Sequence, residues 1–230
     1  FTYMSGNPDL KPETIHDLTL SGSYKWLQFM ISYQREKDAI LYITEQYKKN
    51  PAITTVTHRN FNRIDNFSAF LTASPAVGSW HPQLTVGVQK QWAKIEHNGE
   101  TLQMDTPLFF CTLNNGIQLP YHWTLSTDIN FQSKGDYQNI YMYQNVFMMN
   151  ATLTKSFLNE HLSIHLQGID LTHGRKDGNR IYNKHMNMDV ANVSDSRELR
   201  FTIRYKFNTA KSKYKGKGAA AEEIKQIGRA

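Results

Sequence analysis

The residues able to do chemistry in this chain are scattered, and their spacing decides what chemistry is open to them. His161 and His165 stand four apart in a segment of alternating polarity. On an extended strand that separation spans about 13 Å, too far for both rings to hold one metal ion. His173, Asp177, His185, Asp189 and Asp195 crowd one polar stretch and could offer imidazole and carboxylate ligands, but the expectation for it is an unordered polar loop. The other acidic residues form no paired constellation for acid–base work, and no Ser, His and Asp set stands out. No enzymatic activity is therefore expected, and no catalytic, cofactor-binding or metal-binding residue is assigned.

Smaller signals dissolve under the same test. Cys111 is the single cysteine, so neither a disulfide framework nor a cysteine-based zinc site can be built from it. Gly216-Lys217-Gly218 is too short for a phosphate-binding loop and follows no buried strand leading into a helix. Glu222 to Ile227 is too short for a helix stable on its own. Three Asn-x-Ser/Thr triplets, at Asn66, Asn150 and Asn192, match a pattern frequent by chance. What remains are rings. Tyr42, Tyr47, Trp92, Tyr137, Tyr141, Tyr143 and Tyr182 lie in polar excursions and offer stacking faces for a ligand such as a sugar or an aromatic chelator.

Those rings need elements to hold them, and the elements are strands. Period-2 alternation recurs along nearly the whole chain. Leu199, Phe201, Ile203, Tyr205 and Phe207 alternate with Glu198, Arg200, Thr202, Arg204 and Lys206. Because successive strand side chains point to opposite faces, this segment must lie between an apolar medium and a wet one. The same holds for Trp123 to Gln132, Phe147 to Thr154 and Gln83 to Gln89, and more weakly for Leu18 to Tyr24, Phe29 to Tyr33, Phe67 to Ala73, Phe109 to Leu113 and Leu162 to Leu166. Nine antiparallel strands are expected.

Their connections alternate between short and long. Short turns fall at Lys25 to Gln28, Pro75 to Pro82, Pro120 to His122 and Leu158 to His161; long polar excursions run from roughly Glu36 to Asn60, Lys94 to Thr106, Ser133 to Tyr143 and His173 to Arg197. Transmembrane β-barrels show this asymmetry, with short periplasmic turns and long extracellular loops. Tyr24, Trp26, Trp80, Tyr121, Trp123 and Phe157 sit at the four short turns, as an interfacial aromatic girdle would. Hydropathy does not oppose this: apolar residues make up 40% of the chain and no run of 18 exists, but a barrel's alternating faces average to a soluble-looking value. A soluble β-sandwich binding module is the alternative that alternation alone leaves open.

The formal net charge of +6 is concentrated at the end, where Thr209 to Ala230 holds five Lys and one Arg against two Glu. A basic terminal extension is not the aromatic-interleaved basic face that nucleic acid would need. Residues 1–208 are expected to form part of an outer-membrane barrel and 209–230 a basic periplasmic tail. The chain opens on Phe1 without a signal peptide, and nine strands are an odd number for a closed bacterial barrel, so it reads as a fragment lacking earlier strands.

Gly6-Asn7-Pro8-Asp9-Leu10-Lys11-Pro12-Glu13 resembles the GNPxLKPE segment of TonB-dependent receptor barrels, where it opens a descending strand at the extracellular side. Pro8 and Pro12 withhold N–H donors, so pairing is expected only after Glu13. The end segment, with Phe201, Tyr205 and Phe207 on the last strand and a charged tail beyond, is similar to the Bacteroidetes branch of that barrel family. The resemblance implies a 22-stranded barrel filled by an N-terminal plug, TonB as energy source, the barrel assembly machinery and outer-membrane lipid as partners, and import of a small nutrient: siderophore, chelate, glycan or peptide. A passive porin is the alternative within the membrane class.

Overall fold

A computed structural model describes residues 2–47, 50, 53–184 and 186–207; the tail expected from residue 209, and His185, lie outside the described residues. Strands and turns account for the described chain. They are β1 (Thr2–Met4), β2 (Thr14–Tyr24), β3 (Leu27–Gln46), β4 (Thr54–Ala73), β5 (Trp80–His97), β6 (Glu100–Met104), β7 (Leu108–Leu119), β8 (Trp123–Gln132), β9 (Gly135–Tyr137), β10 (Ile140–Met142), β11 (Val146–Phe157), β12 (Leu162–Ile169), β13 (Lys176–Tyr182), β14 (Asn187–Val193) and β15 (Glu198–Tyr205). The principal sheet runs β2-β3-β4-β5-β7-β8-β11-β12-β15, each strand antiparallel to the next. β6 adds to β5, while β9, β10, β13 and β14 make a second sheet ordered β14-β13-β10-β9. The all-β antiparallel class read from alternation is the class observed. One local exception is β1, which lies parallel to β4 through Thr2↔Thr54 and its neighbours.

The registers explain the alternation. Gly22, Phe29, Leu71, Val86, Cys111, Phe131 and Phe147 form one continuous row across seven strands. The neighbouring row on the opposite face runs Ser23, Gln28, Thr72, Thr85, Thr112 and Asn130, with hydroxyls of Thr72 and Thr85 2.9 Å apart and Thr112 Oγ1 donating to Asn130 at 3.1 Å. We call the apolar side the outer face and the polar side the inner face. No protein covers the outer face: Leu18, Leu20, Leu199, Phe201 and Ile203 are each more than 60% exposed. An uncovered apolar surface of this extent needs an apolar medium or a partner.

The short turns lie at one end of the sheet, and Tyr24, Trp26, Trp80, Tyr121, Trp123 and Phe157 are exposed there. Two boundaries differ from expectation. β5 starts at Trp80, so Pro82 lies within it rather than in the turn. Its missing N–H is harmless, because β5 pairs at that level with β7 through Pro82↔Asn115 while pairing with β4 begins only at Leu84↔Ala73. β15 ends at Tyr205, so Phe207 lies just beyond the strand, held by Lys206 N–H donating to His161 O (2.8 Å) and by an edge contact of its ring with Tyr205, 4.6 Å between centroids.

At the opposite end the four excursions expected as polar loops are largely folded β-structure. In the first, β3 and β4 continue their ladder to Gln46↔Thr54. No single alternation runs through this stretch, because Asp38 adopts a left-handed φ of 55°, which shifts the parity of the strand. Even-numbered Glu36 pairs with Ile64, yet odd-numbered Ala39 and Leu41 join Ile64 in the core. In the second, Asn98 and Gly99, with φ of 51° and 84°, close a tight hairpin between His97 and Glu100, the two-residue turn that Asn-Gly favours. The third and fourth supply the small sheet, so the stretch from His173 to Asp195 is not the unordered loop expected of it.

The protein's own hydrophobic core sits in these extensions. Ala39, Leu41, Ile64, Ala93, Ile95 and Met104 are buried together, and Tyr141 from β10 and Tyr182 from β13 pack on them. Each fully buried Leu or Ile contributes about 1.5–3 kcal/mol, so the extensions form a packed layer continuous with the sheet whose outer face is bare.

Candidate functional site

The small sheet lies against the inner face of the extensions, and three buried amide side chains hold it there. Gln91 Nε2 donates to Gln138 O (2.8 Å) while its Oε1 accepts the Gln138 N–H (2.6 Å). Asn139 Nδ2 donates to the carbonyls of Tyr42 (3.0 Å) and Tyr182 (3.2 Å). Asn183 Oδ1 accepts the Thr44 N–H at 2.7 Å and its Nδ2 donates to Thr44 Oγ1. His97 Nδ1 donates to Asn183 O at 2.6 Å, and its ring meets Tyr182 edge-on. Asp136 Oδ2 accepts the Thr106 N–H (2.8 Å); its burial raises its pKa, against the pull of that bond.

Below this sheet the inner face is left open as a polar cleft of about 180 Å³, lined by Ser32, Gln34, Glu36, Asn66, Ser68, Phe70, Gln89, Tyr137 and Gln138. Glu36 Oε1 accepts from Asn66 Nδ2 at 3.0 Å. Amides, hydroxyls, one carboxylate and one tyrosine ring suit hydrogen bonding and stacking with a polar ligand. They provide no nucleophile with a base in reach. Sequence reasoning named only Tyr137 of this group. Ser32, Ser68 and Gln89 lie on the polar side of the β3, β4 and β5 alternation and are legible there; Gln34, Glu36 and Asn66 continue that side beyond the alternating segments, and Gln138, between β9 and β10, carries no sequence signal.

The seven ring candidates do not converge. Tyr141 and Tyr182 belong to the core, and Tyr143 packs over Gly178, where a Cβ would fall 2.4 Å from its ring. Tyr42 is exposed, with its ring 4.1 Å from that of His58, and Tyr47 meets Tyr3 edge-on at 5.9 Å. Trp92 points to the outer face, and Tyr137 overhangs the cleft. Only Tyr137 is placed to touch a ligand on the inner face.

Of the candidate ligands of the last excursion, Asp189 is taken up in an ion pair. Arg180 and Asp189 face each other across β13 and β14 in a two-bond ion pair of 2.7 and 2.9 Å, which lowers the Asp189 pKa. His165 is bracketed by Thr154 (3.0 Å) and Ser163 (2.9 Å), while His161 lies in the β11–β12 turn. Among the described residues no three His, Cys, Asp or Glu gather as a metal site. Asp170, missed in the sequence, is 1% exposed and ties the connection together. Oδ1 accepts the Gly174 N–H (2.8 Å), Oδ2 accepts the Arg175 N–H (3.2 Å) and the Ser196 hydroxyl. Burial pushes its pKa up, but the Ser196, Gly174 and Arg175 bonds outweigh this and hold it below the usual value.

The segment Gly6 to Glu13 is fastened to the β3–β4 hairpin. Asn7 Nδ2 donates to His58 O (2.9 Å) and Asn7 Oδ1 accepts the Asp9 N–H (3.0 Å). Asn60 accepts the Lys11 N–H (2.8 Å) and donates to Lys11 O (2.9 Å) and Asp38 O (2.7 Å). Glu13 Oε2 accepts the Ile40 N–H at 2.8 Å, beside the parity shift at Asp38. Pro8, Leu10 and Pro12 lie in the unpaired approach, and β2 begins directly after Glu13.

Comparison with known proteins agrees with this geometry. The family described as "Outer membrane protein beta-barrel family" matches residues 1–205. Among solved structures, the outer membrane transporter YddB from Escherichia coli superposes with a TM-score of 0.52 at 12% identity, covering 90% of this chain and 34% of that one. The chain thus spans about a third of that transporter's length. No curated protein matches.

Proposed function

Because the chain belongs to the outer membrane protein beta-barrel family, and so is an outer-membrane protein, we propose that it forms the C-terminal wall of a TonB-dependent receptor that imports a small nutrient. The outer face then lies in lipid, the short turns in the periplasm and the packed extensions outside the cell. The observation that carries the receptor reading is the seating of Gly6 to Glu13. The segment resembling the receptor motif sits at the extension end, is bonded to the β3–β4 hairpin, and leads directly into β2, which descends towards the short turns.

In this reading the small sheet overhangs the inner face, and the ligand enters the polar cleft beneath Tyr137 and Gln138 before passing a plug supplied by the rest of a 22-stranded parent. Recognition rests on hydrogen bonds from Gln34, Asn66 and Gln89, and no covalent step falls to the wall. Lipid, the barrel assembly machinery and TonB are the protein's partners. The Bacteroidetes-like feature is the tail beyond Phe207. A passive porin is the second reading, favoured by the polar inner rows.

Binding to TonB separates the two. The full-length protein, purified in detergent, is titrated with the isolated periplasmic domain of TonB. Saturable binding that is lost when the receptor's N-terminal box is deleted is expected, and its absence would contradict receptor function.

A further inference from the structure

On the outer face the apolar band ends abruptly towards the extensions. Along β3, exposed Ile31 and Tyr33 are succeeded by exposed Arg35 and Lys37; on β4, Phe67 gives way to Asp65 and Arg63; on β5, Val88 gives way to Lys90, Trp92 and Lys94. On β3 and β4 the change falls between the registered rows Tyr33↔Phe67↔Lys90 and Arg35↔Asp65↔Trp92, and on β5 it comes one row earlier, at Lys90. A cavity of about 390 Å³ opens there, lined in part by Arg63, Trp92, Lys94 and Gln103.

We propose that this belt is a binding site for the phosphate group of an anionic lipid in the outer leaflet. Asp65 fixes the geometry: its Oδ1 accepts from Arg35 Nε (2.9 Å) and the Tyr33 hydroxyl (2.7 Å), and its Oδ2 from Arg63 Nε (2.5 Å). One carboxylate neutralises one of two guanidinium groups, and both remain half-exposed with donors free for the fork geometry that matches phosphate. Lys37, Lys90 and Lys94 form no ion pair among the described residues, and Asp105 is the other carboxylate at the cavity. Lys90 Nζ sits 5.4 Å from the Trp92 ring centroid, an indole at the level where amphipathic rings favour the headgroup boundary.

The occupant follows from continuity. The cations stand on the same face of the same strands as Phe29, Leu71 and Val86, which in an outer membrane meet acyl chains. A ligand touching both must be an amphiphile with its charge at the top. A soluble import substrate has no access to this side of the wall. The inference requires outer-membrane placement only; it is independent of TonB coupling and survives a negative TonB titration.

The test uses the full-length protein in phosphatidylcholine nanodiscs containing either bisphosphorylated lipid A or its fully dephosphorylated form, with bound lipid quantified by native mass spectrometry after detergent release. Wild type is expected to retain the phosphorylated lipid selectively. The variant K37Q/K90Q/K94Q leaves the Arg35–Asp65–Arg63 cluster intact and is checked for folding by heat-modifiable gel mobility. It should lose about fivefold in affinity per lysine and roughly a hundredfold in all. R63Q should lose selectivity as well. Equal retention of the two lipids by wild type, or undiminished retention by the folded triple variant, overturns the proposal.

Discussion

Asn183 Oδ1 accepts the backbone N–H of Thr44 at 2.7 Å, joining residues 139 apart in the chain, and both side chains are buried. This bond fastens the β13–β14 hairpin to the far end of β3, so the fourth excursion closes over the first. The four excursions thus act as one body, and the cleft beneath them is a fixed feature of the wall.

Replacing Asn183 with Ala should release this closure. The Thr44 N–H would be left buried without an acceptor, at a cost of about 1–3 kcal/mol. Hydrogen exchange followed by mass spectrometry should show faster exchange in β13, β14 and the end of β3, with the β8–β11 ladder unchanged. Uniform exchange across the whole chain would show that the extensions do not unfold as a unit.

Asp170 makes the same connection sensitive to acid. Its folded pKa lies below the usual carboxylate value, so its contribution is present above the unfolded pKa of about 3.9 and disappears as pH falls through the lower folded value. Asp170→Asn should raise protease sensitivity between β12 and β13 at neutral pH and remove the further rise expected of the wild type below about pH 4. An unchanged acid response in the variant would assign it to another group.

What was readable in the sequence, and what was not, has a physical basis. Where a strand separates lipid from water, the medium enforces strict alternation, and β8, β11 and β15 could be found by counting. In the extensions both faces meet protein or water, and one left-handed residue, Asp38, reversed the parity of β3, so the pattern no longer pointed to strands. Asn98-Gly99 is a hairpin signal legible in the sequence. The anchoring amides Gln91, Asn139 and Asn183 carried none, because their partners are backbone groups far along the chain. Of the rings proposed as ligand contacts, Tyr141 and Tyr182 are polar-tipped core residues, which composition cannot distinguish from exposed ones.

Gly174 is a packing constraint. A Cβ there would lie 1.5 Å from the Phe147 carbonyl oxygen, a backbone atom unable to yield. Gly174→Ala should cost at least ~1–3 kcal/mol through forced backbone shifts, read as a lower urea midpoint in detergent. Gly6→Ala, which meets nothing within 4 Å, serves as the neutral control.

Glu13 ties the receptor-like segment to the wall through the Ile40 N–H. Glu13→Ala should destabilise the β3–β4 extension by about 1–3 kcal/mol and increase proteolysis near Asp38, leaving the short turns untouched. Glu13→Gln, which keeps an acceptor oxygen, should restore most of the protection.

Solute flux through the full-length protein tests the import reading most directly. In a liposome-swelling assay with small sugars, a receptor whose barrel is filled by a plug should give no permeation above empty liposomes, and removal of the plug should open it. Permeation by the intact protein, at a rate unchanged by plug removal, would contradict the account and identify a passive channel.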